Sequence, residues 1–313
     1  MNSPTLSEAQ SLYLASLESQ YLSPHTLRKY RIHCKQFAAW ANARKLELGK
    51  ITKLDMQRFM ASRHISQNTA NKEVQFYKTF FSFCEEAKII PLSPIRKWKA
   101  PRFRPPDETP YSQAEMARIL FACERVGQRP YERLRARAAI LILRHHALRI
   151  SDVLKLRCDA LQFDSRKGQW RLRLITQKNK AKLDHPVSNE VLEALRLLPI
   201  PVGSRAHEYY FWNGTGRFQN VLDNMTALLR DVYKLSGVEG AHNHRYRHSK
   251  VTEMLANGAP LPIVARFLGI TDAICSRHYA KYSAALQDTI DQYATCGETE
   301  TQDAREYYVP IPV

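Results

Sequence analysis

The sequence predicts a mainly α-helical protein with a small β-sheet, built as an all-α N-terminal domain followed by an α+β C-terminal domain. Three observations predict it. Apolar residues recur at helical spacing over most of the chain; one stretch, residues 169–176 (QWRLRLIT), alternates apolar and basic residues as a half-exposed strand does; and a proline-rich basic stretch, residues 91–110, interrupts the helical texture between the two parts. With 313 residues, 44% of them hydrophobic, the chain can bury two separate cores.

The first domain is assigned to residues 1–93. The segment LSEAQSLYLASLESQ opens it as a helix. Ser23 followed by Pro24 gives an N-cap and a proline in the first turn, and Leu27, Tyr30, Cys34, Phe37, Ala38 and Ala41 then recur at helical spacing. Thr52 and Asp55 form a capping-box pattern ahead of Met56, Phe59 and Met60. A further helix starts near Asn68 and carries Val74, Tyr77, Phe81 and Cys84 on one stripe, for four or five helices in all.

Residues 94–108 are assigned to an extended interdomain linker. Pro94, Pro101, Pro105 and Pro106 deny it a helix, and Arg96, Lys97, Lys99, Arg102 and Arg104 are interleaved with Trp98 and Phe103. These five cations are candidate DNA-binding residues that would touch phosphates; a solvated charge run is the competing reading.

The second domain is assigned to residues 109–293. Ser112 and Glu115 repeat the capping-box pattern, helical segments run through residues 141–149 and 151–156, Ser165 to Gly168 supply a turn before the strand, and Pro186 and Val187 sit where a returning strand belongs. Helical periodicity resumes at Asn189. Residues 294–313 form a polar tail with a short apolar end.

A net charge of +17 points to a polyanionic partner. A basic membrane-surface protein would share that balance, but no apolar run approaches a bilayer-spanning length and MNSPTLSEAQ has neither a charged nor an apolar leader region, so a cytoplasmic, nucleoid-associated protein with no membrane partner is expected. Cys34, Cys84, Cys123, Cys158, Cys275 and Cys296 are scattered singly, which favours buried thiols in a reducing compartment over disulfides or metal ligands.

The chemistry resides in three clusters: Arg149 and Asp152 in ALRISD, His244, Arg247 and His248 in HRYRH, and Tyr279 in SRHY. Two guanidinium groups can fork onto non-bridging phosphate oxygens, an imidazole can accept a proton near neutral pH, and a phenol can attack phosphorus, which together suffice to break a phosphodiester without a metal. Asp152, one turn from Arg149, is placed to hold that guanidinium, and His248 reads as a buried scaffold residue. His242, His244 and His248 could suggest zinc, but the glutamate of H-E-x-x-H is missing and no cysteine lies close in sequence, so no metal is expected.

In type, order and spacing these residues resemble the tyrosine recombinase (phage integrase) family, over residues 6–293. That pattern runs from an arginine in Leu-Arg-x-Ser-Asp/Glu, through a hairpin lysine, His-x-x-Arg-His and Leu-Gly-His/Trp, to a tyrosine; here the positions are Arg149, Lys178, His244 with Arg247 and His248, Leu268-Gly269-Ile270, and Tyr279. The resemblance implies a SAM-like core-binding N-terminal domain and a catalytic C-terminal domain. It also implies Tyr279 as nucleophile, Lys178 as proton donor to the leaving 5′ oxygen, a 3′-phosphotyrosyl intermediate, a Holliday junction, and a tetramer assembled on double-stranded DNA at specific recombination sites. Neither ATP nor any other cofactor is implied, and the tail of residues 294–313 becomes a candidate contact to another protomer. Lys180 and Lys182 compete with Lys178 for the hairpin role.

Ile270 departs from the pattern, standing where a His or Trp donor is expected. A slower enzyme follows, with Thr271 or His278 as candidate compensating donors. The alternatives are a catalytically weak DNA-binding relative and a type IB topoisomerase-like strand relaxer.

Overall fold

The computed structural model describes residues 4–100, 108–199 and 208–279, and the chain divides into two compact units, 1–106 and 107–313. Among the described residues it is mainly helical with one three-stranded sheet. No helix among them is long and apolar enough to cross a membrane.

The first unit holds α1 (Leu6–Ser19), α2 (Pro24–Asn42), α3 (Lys53–Ala61) and α4 (Gln67–Glu86). Side-chain caps start each of them: Thr5 with Glu8, Ser23 to the Thr26 amide, Thr52 with Asp55, and Ser66 to the Thr69 amide. The apolar stripes of these helices meet in an aromatic core where Phe37, Phe59 and Tyr77 pack edge to face at 5.1 and 5.4 Å. Glu73, 2% exposed, is neutralised by the Arg63 guanidinium at 2.9 Å.

The stretch expected to be extended is instead folded onto this unit as far as Trp98. Residues 94–97 form a turn, Ile95 is fully buried, and Trp98 packs against the same core, leaving Arg96, Lys97 and Lys99 exposed. Two apolar side chains among the cations outweigh the proline signal. Arg102 and Arg104 lie outside the described residues.

In the second unit α5 (Gln113–Cys123) and α6 (Pro130–His146) precede a short α7 (Ile150–Leu154). Next come β1 (Leu161–Asp164), β2 (Gln169–Ile175) and β3 (Lys182–Pro186), then α8 (Asn189–Arg196), α9 (Phe218–Ser236), α10 (Asn243–Ala256), α11 (Leu261–Leu268) and α12 (Asp272–Tyr279). Residues 138–143 of α6 are all fully buried, so this helix is apolar on every side and serves as the centre against which α5, α8, α9 and α10 pack.

The sheet is antiparallel in the order β1-β2-β3, with Leu172 opposite both Leu161 and His185. The sequence foresees β2 and its return but not β1, a four-residue strand with no alternation to mark it. A smaller apolar cluster of Ala147, Val251, Leu255, Val264, Ala265, Leu268, Cys275 and Tyr279 joins α10, α11 and α12. Cys34, Cys84, Cys123 and Cys275 are buried free thiols and Cys158 is half-buried; Cys296 lies outside the described residues.

Candidate active site

The α6 helix ends at His146, and Ala147 turns the chain in the left-handed region (φ 51°, ψ 27°) so that Arg149 becomes the N-cap of α7. Arg149 Nη1 is buried and makes no hydrogen bond among the described residues. Asp152, 3% exposed, accepts from the Gln177 amide at 2.7 Å through Oδ1.

The α10 helix supplies the second cluster. Its N-cap His242 accepts from the His244 amide through Nδ1 at 3.2 Å and pairs through Nε2 with Glu108, which fixes the proton on Nε2. The Tyr111 hydroxyl pins the same residue's backbone, donating to the His242 carbonyl at 3.1 Å. Alternate arginines of the helix have separate tasks. Arg245 ties down the start of α5 and the segment before it, donating to Thr109 O at 2.8 Å and to Glu115 at 3.0 Å. Arg247, 5% exposed, donates through Nη1 to Ala147 O at 2.7 Å and through Nη2 to Leu268 O at 2.9 Å.

Tyr279 closes α12 with 8% of its surface exposed. Its ring stacks on that of His248, centroids 6.0 Å apart and planes inclined by 28°. Burial raises the phenol pKa, against a smaller lowering from the charge and hydrogen bond of Arg247. Arg247 is itself lowered to about 10 by burial and by repulsion from Arg149, with Tyr279 and Asp152 opposing. His244 is solvent-exposed at the rim, yet the protein crowding it and the nearby Arg247 lower its pKa, so the imidazole is neutral near pH 7. Arg149, Arg247, His244 and Tyr279 are thus electrostatically linked through Arg247, with Glu108 acting on both His244 and Tyr279.

Lys178 is exposed in the tight turn joining β2 to β3. The turn is closed at its base by Thr176, whose amide donates to Ala181 O at 2.9 Å and whose hydroxyl accepts from the Ala181 amide at 3.1 Å. Of the competing lysines, Lys180 occupies a left-handed position at that base (φ 54°) and Lys182 is the first residue of β3.

Ile270 follows a Schellman ending of α11: the Ile270 amide donates to Ala265 O at 3.1 Å and the Gly269 amide to Arg266 O at 3.2 Å. Its half-buried side chain packs on the small cluster beside Tyr279, the apolar contact such an ending calls for. Of the candidate compensating donors, Thr271 accepts from the Ile274 amide at 3.4 Å at the start of α12, and His278 is exposed.

Sequence reasoning missed several neighbours of this site. Glu108 was absorbed in the linker. His146, His185 and Phe267 form a parallel stack, with centroids 5.7 Å apart for the histidine pair and 4.0 Å for His185 on Phe267, and Arg247 repels a charge on His185. Their residues come from α6, β3 and α11, and no local pattern links them. Among the described residues no group of three or more His, Cys, Asp or Glu could hold a metal.

The fold is that of a tyrosine recombinase, an enzyme class that breaks and rejoins DNA. The chain belongs to the phage integrase family: the model of that family matches residues 111–285, and the model described as phage integrase, N-terminal SAM-like domain, matches residues 11–88. Its relatives include tyrosine recombinase XerC of Staphylococcus carnosus (strain TM300), 24% identical over 280 residues, covering 87% of this chain and 91% of the relative. Tyrosine recombinase XerD of Rickettsia prowazekii (strain Madrid E) is 22% identical over 277 residues, with 84% and 88% covered. Among solved structures, a lambda integrase dimer bound to a COC′ core site matches with TM-score 0.67 at 15% identity, over 91% of this chain and 78% of that one. XerH recombinase bound to difH substrate in a pre-cleavage complex matches with TM-score 0.63 at 15% identity, over 95% and 86%.

Proposed function

We propose that this protein is a site-specific recombinase that cleaves and rejoins double-stranded DNA through a 3′-phosphotyrosyl link at Tyr279. The observation that carries the reading is that Arg247, hydrogen-bonded to the turn that presents Arg149, is coupled electrostatically to Arg149, His244 and Tyr279. Arg149 brings a buried Nη1 with no acceptor among the described residues, a donor left for a phosphate, and Arg247 is pre-organised by its two carbonyl bonds. The phenol enters protonated and His244 enters neutral, the ionisation states a proton transfer from one to the other requires.

Attack by the Tyr279 oxygen on phosphorus forms the phosphotyrosyl bond and breaks the bond to the 5′ oxygen, which takes a proton from Lys178. The 5′-hydroxyl of a partner strand then reverses the step. The bond energy stays in the phosphotyrosine, so no ATP is consumed. Two duplexes exchanged one strand pair at a time require four protomers and a Holliday junction; a lambda integrase tetramer bound to a Holliday junction matches this chain with TM-score 0.63 at 16% identity. In this scheme Arg96, Lys97 and Lys99, exposed on the first unit, contact phosphates, as do Arg102 and Arg104.

The test is covalent capture on nicked duplexes of randomised sequence, comparing the parent with Tyr279→Phe. A protein–DNA adduct formed by the parent alone, with 3′-phosphate linkage, is expected; equal adduct from both proteins rules out Tyr279. Ile270 favours a second reading, a slow or accessory relative, for which DNA retention without any adduct in the parent is the signature. Relaxation of supercoiled plasmid in place of junction formation would indicate the topoisomerase-like activity.

A further inference from the structure

Every helix leaves its last carbonyl oxygens without partners inside the helix. At the end of α11 they are all accounted for, and the accounting is informative. The Schellman bonds take Ala265 O and Arg266 O. The next three carbonyls are met by side chains from elsewhere: Phe267 O by His185 Nε2 at 3.0 Å, Leu268 O by Arg247 Nη2 at 2.9 Å, and Gly269 O by Asn179 Nδ2 at 2.9 Å. One stretch of backbone therefore bonds to β3, to the arginine of α10 and to the β2–β3 turn, immediately before the chain enters α12.

Asn179 is the neighbour of Lys178. On the other side of Lys178, the Gln177 amide donates to Asp152 Oδ1 at 2.7 Å. The turn tip is thus clasped on both flanks, once to the helix that follows Arg149 and once to the segment that leads to Tyr279. Lys178 is bracketed by these two bonds, whereas Lys180 and Lys182 lie outside the bracket. Only the amide NH2 of an asparagine can face a carbonyl oxygen, so the side-chain orientation is fixed by the chemistry of the partner.

We infer that Asn179 is a positioning residue, whose hydrogen bond to the Gly269 carbonyl holds the Lys178 turn in register with the Arg247 and Tyr279 segments. Asn179 touches no reacting atom; it acts through Lys178. The inference rests on the proposed role of Lys178 as proton donor to the leaving 5′ oxygen.

The two can be separated by the leaving group. A nicked duplex whose bridging 5′ oxygen is replaced by sulfur releases a thiolate that needs no proton donor, so a defect confined to proton delivery disappears on it. Asn179→Ala and Asn179→Asp, the latter isosteric but unable to donate, are compared with the parent and with Lys178→Ala in single-turnover adduct formation on both substrates. On the oxygen substrate the Asn179 variants are expected to slow cleavage by about 10- to 100-fold, the penalty of a misplaced catalytic group, and on the sulfur substrate to match the parent within about twofold. Lys178→Ala should show the same pattern with a larger loss. Asn179 variants that equal the parent on oxygen, or that are slowed equally on both substrates, overturn the positioning role while Lys178→Ala rescue leaves the proton-donor reading intact. A Lys178→Ala variant slowed equally on both substrates overturns that reading, and the inference with it.

Discussion

Arg247 donates a 2.7 Å hydrogen bond to the carbonyl oxygen of Ala147, a fully buried non-glycine residue held in the left-handed region. That conformation costs an alanine about 1–2 kcal/mol, so it persists only where surrounding contacts fix it. The bond joins the arginine of α10 to the turn that presents Arg149. One guanidinium thus holds two backbone carbonyls and is coupled electrostatically to Tyr279.

Arg247→Lys should therefore fail twice. A lysine ammonium can reach one of the two carbonyls but lacks the fork that serves both, leaving a buried acceptor unpaired at a cost of about 1–3 kcal/mol. Losing a transition-state donor adds about a 100-fold or greater drop in adduct formation. Thermal unfolding and single-turnover cleavage measure the two effects separately; a variant with unaltered stability would show that the carbonyl bonds contribute nothing to the fold.

The histidine stack makes the second unit sensitive to acid. Burial lowers His146 from 6.5 to about 3 and His185 from 6.5 to about 4, with further repulsion on His146 from His185, His145 and Lys250; Asp184 attracts and Arg171 and Arg247 repel a charge on His185. The folded state resists protonation at these rings and the unfolded chain does not, so below about pH 6.5 the unfolded state binds more protons. Stability from these groups is complete above that pH and is lost as pH falls toward 4 for His185 and toward 3 for His146. His146 is 1% exposed with both ring nitrogens lacking hydrogen bonds among the described residues, so His146→Leu should keep neutral-pH stability while removing roughly 2–3 kcal/mol of the loss at about pH 4.5. Urea melts across pH would reveal an unchanged acid limb if the ring is not the source.

The parts of this architecture written in local chemistry were legible in the sequence. Thr52 with Asp55 and Ser112 with Glu115 announce helix starts because each box is closed within four residues, and the alternation of β2 follows from one face turning inward. Arg149, Arg247, His244 and Tyr279 could be picked out because their types and order carry a chemical pattern. What escaped was non-local. The fold of residues 94–98 depends on a core formed by other helices, and the pairing of Asn179 with Gly269 or of His185 with Phe267 depends on how the hairpin meets α11. No periodicity encodes such meetings.

Gly269 illustrates how tightly that meeting is built. Its φ is +62°, and a Cβ there would lie 2.7 Å from Ala181 Cβ and 3.1 Å from Leu183 Cδ2. Gly269→Ala should cost about 1–2 kcal/mol for the left-handed backbone and about 1–3 kcal/mol more for overpacking against Ala181 and Leu183 of the hairpin. The hairpin must shift to accommodate the methyl group, moving Lys178. A lowered melting temperature together with slower cleavage on the oxygen-leaving substrate is the expected pair; full activity at parental stability would contradict the close approach.

Ile270 stands where the resemblance leads one to expect a His or Trp donor. The Schellman backbone asks only for an apolar contact here, and isoleucine supplies it against the cluster that seats Tyr279. A histidine at this position would keep the backbone bonds of the Ile270 amide and lose part of the packing, a cost of about 1–2 kcal/mol scaled from buried large-to-small exchanges. In return it would offer an N–H toward the phosphate, and a transition-state donor of that kind is worth about 100- to 1000-fold where nothing replaces it. Ile270→His is therefore expected to melt earlier yet form adduct faster, by at least about 10-fold once partial compensation by Thr271 or His278 is allowed for. Thr271→Val in the parent background tells the two cases apart: a large loss identifies the threonine hydroxyl as the substitute donor, and Ile270→His should then restore the rate. If Ile270→His cleaves no faster in either background, the missing-donor account of this position is wrong and the isoleucine is there for packing alone.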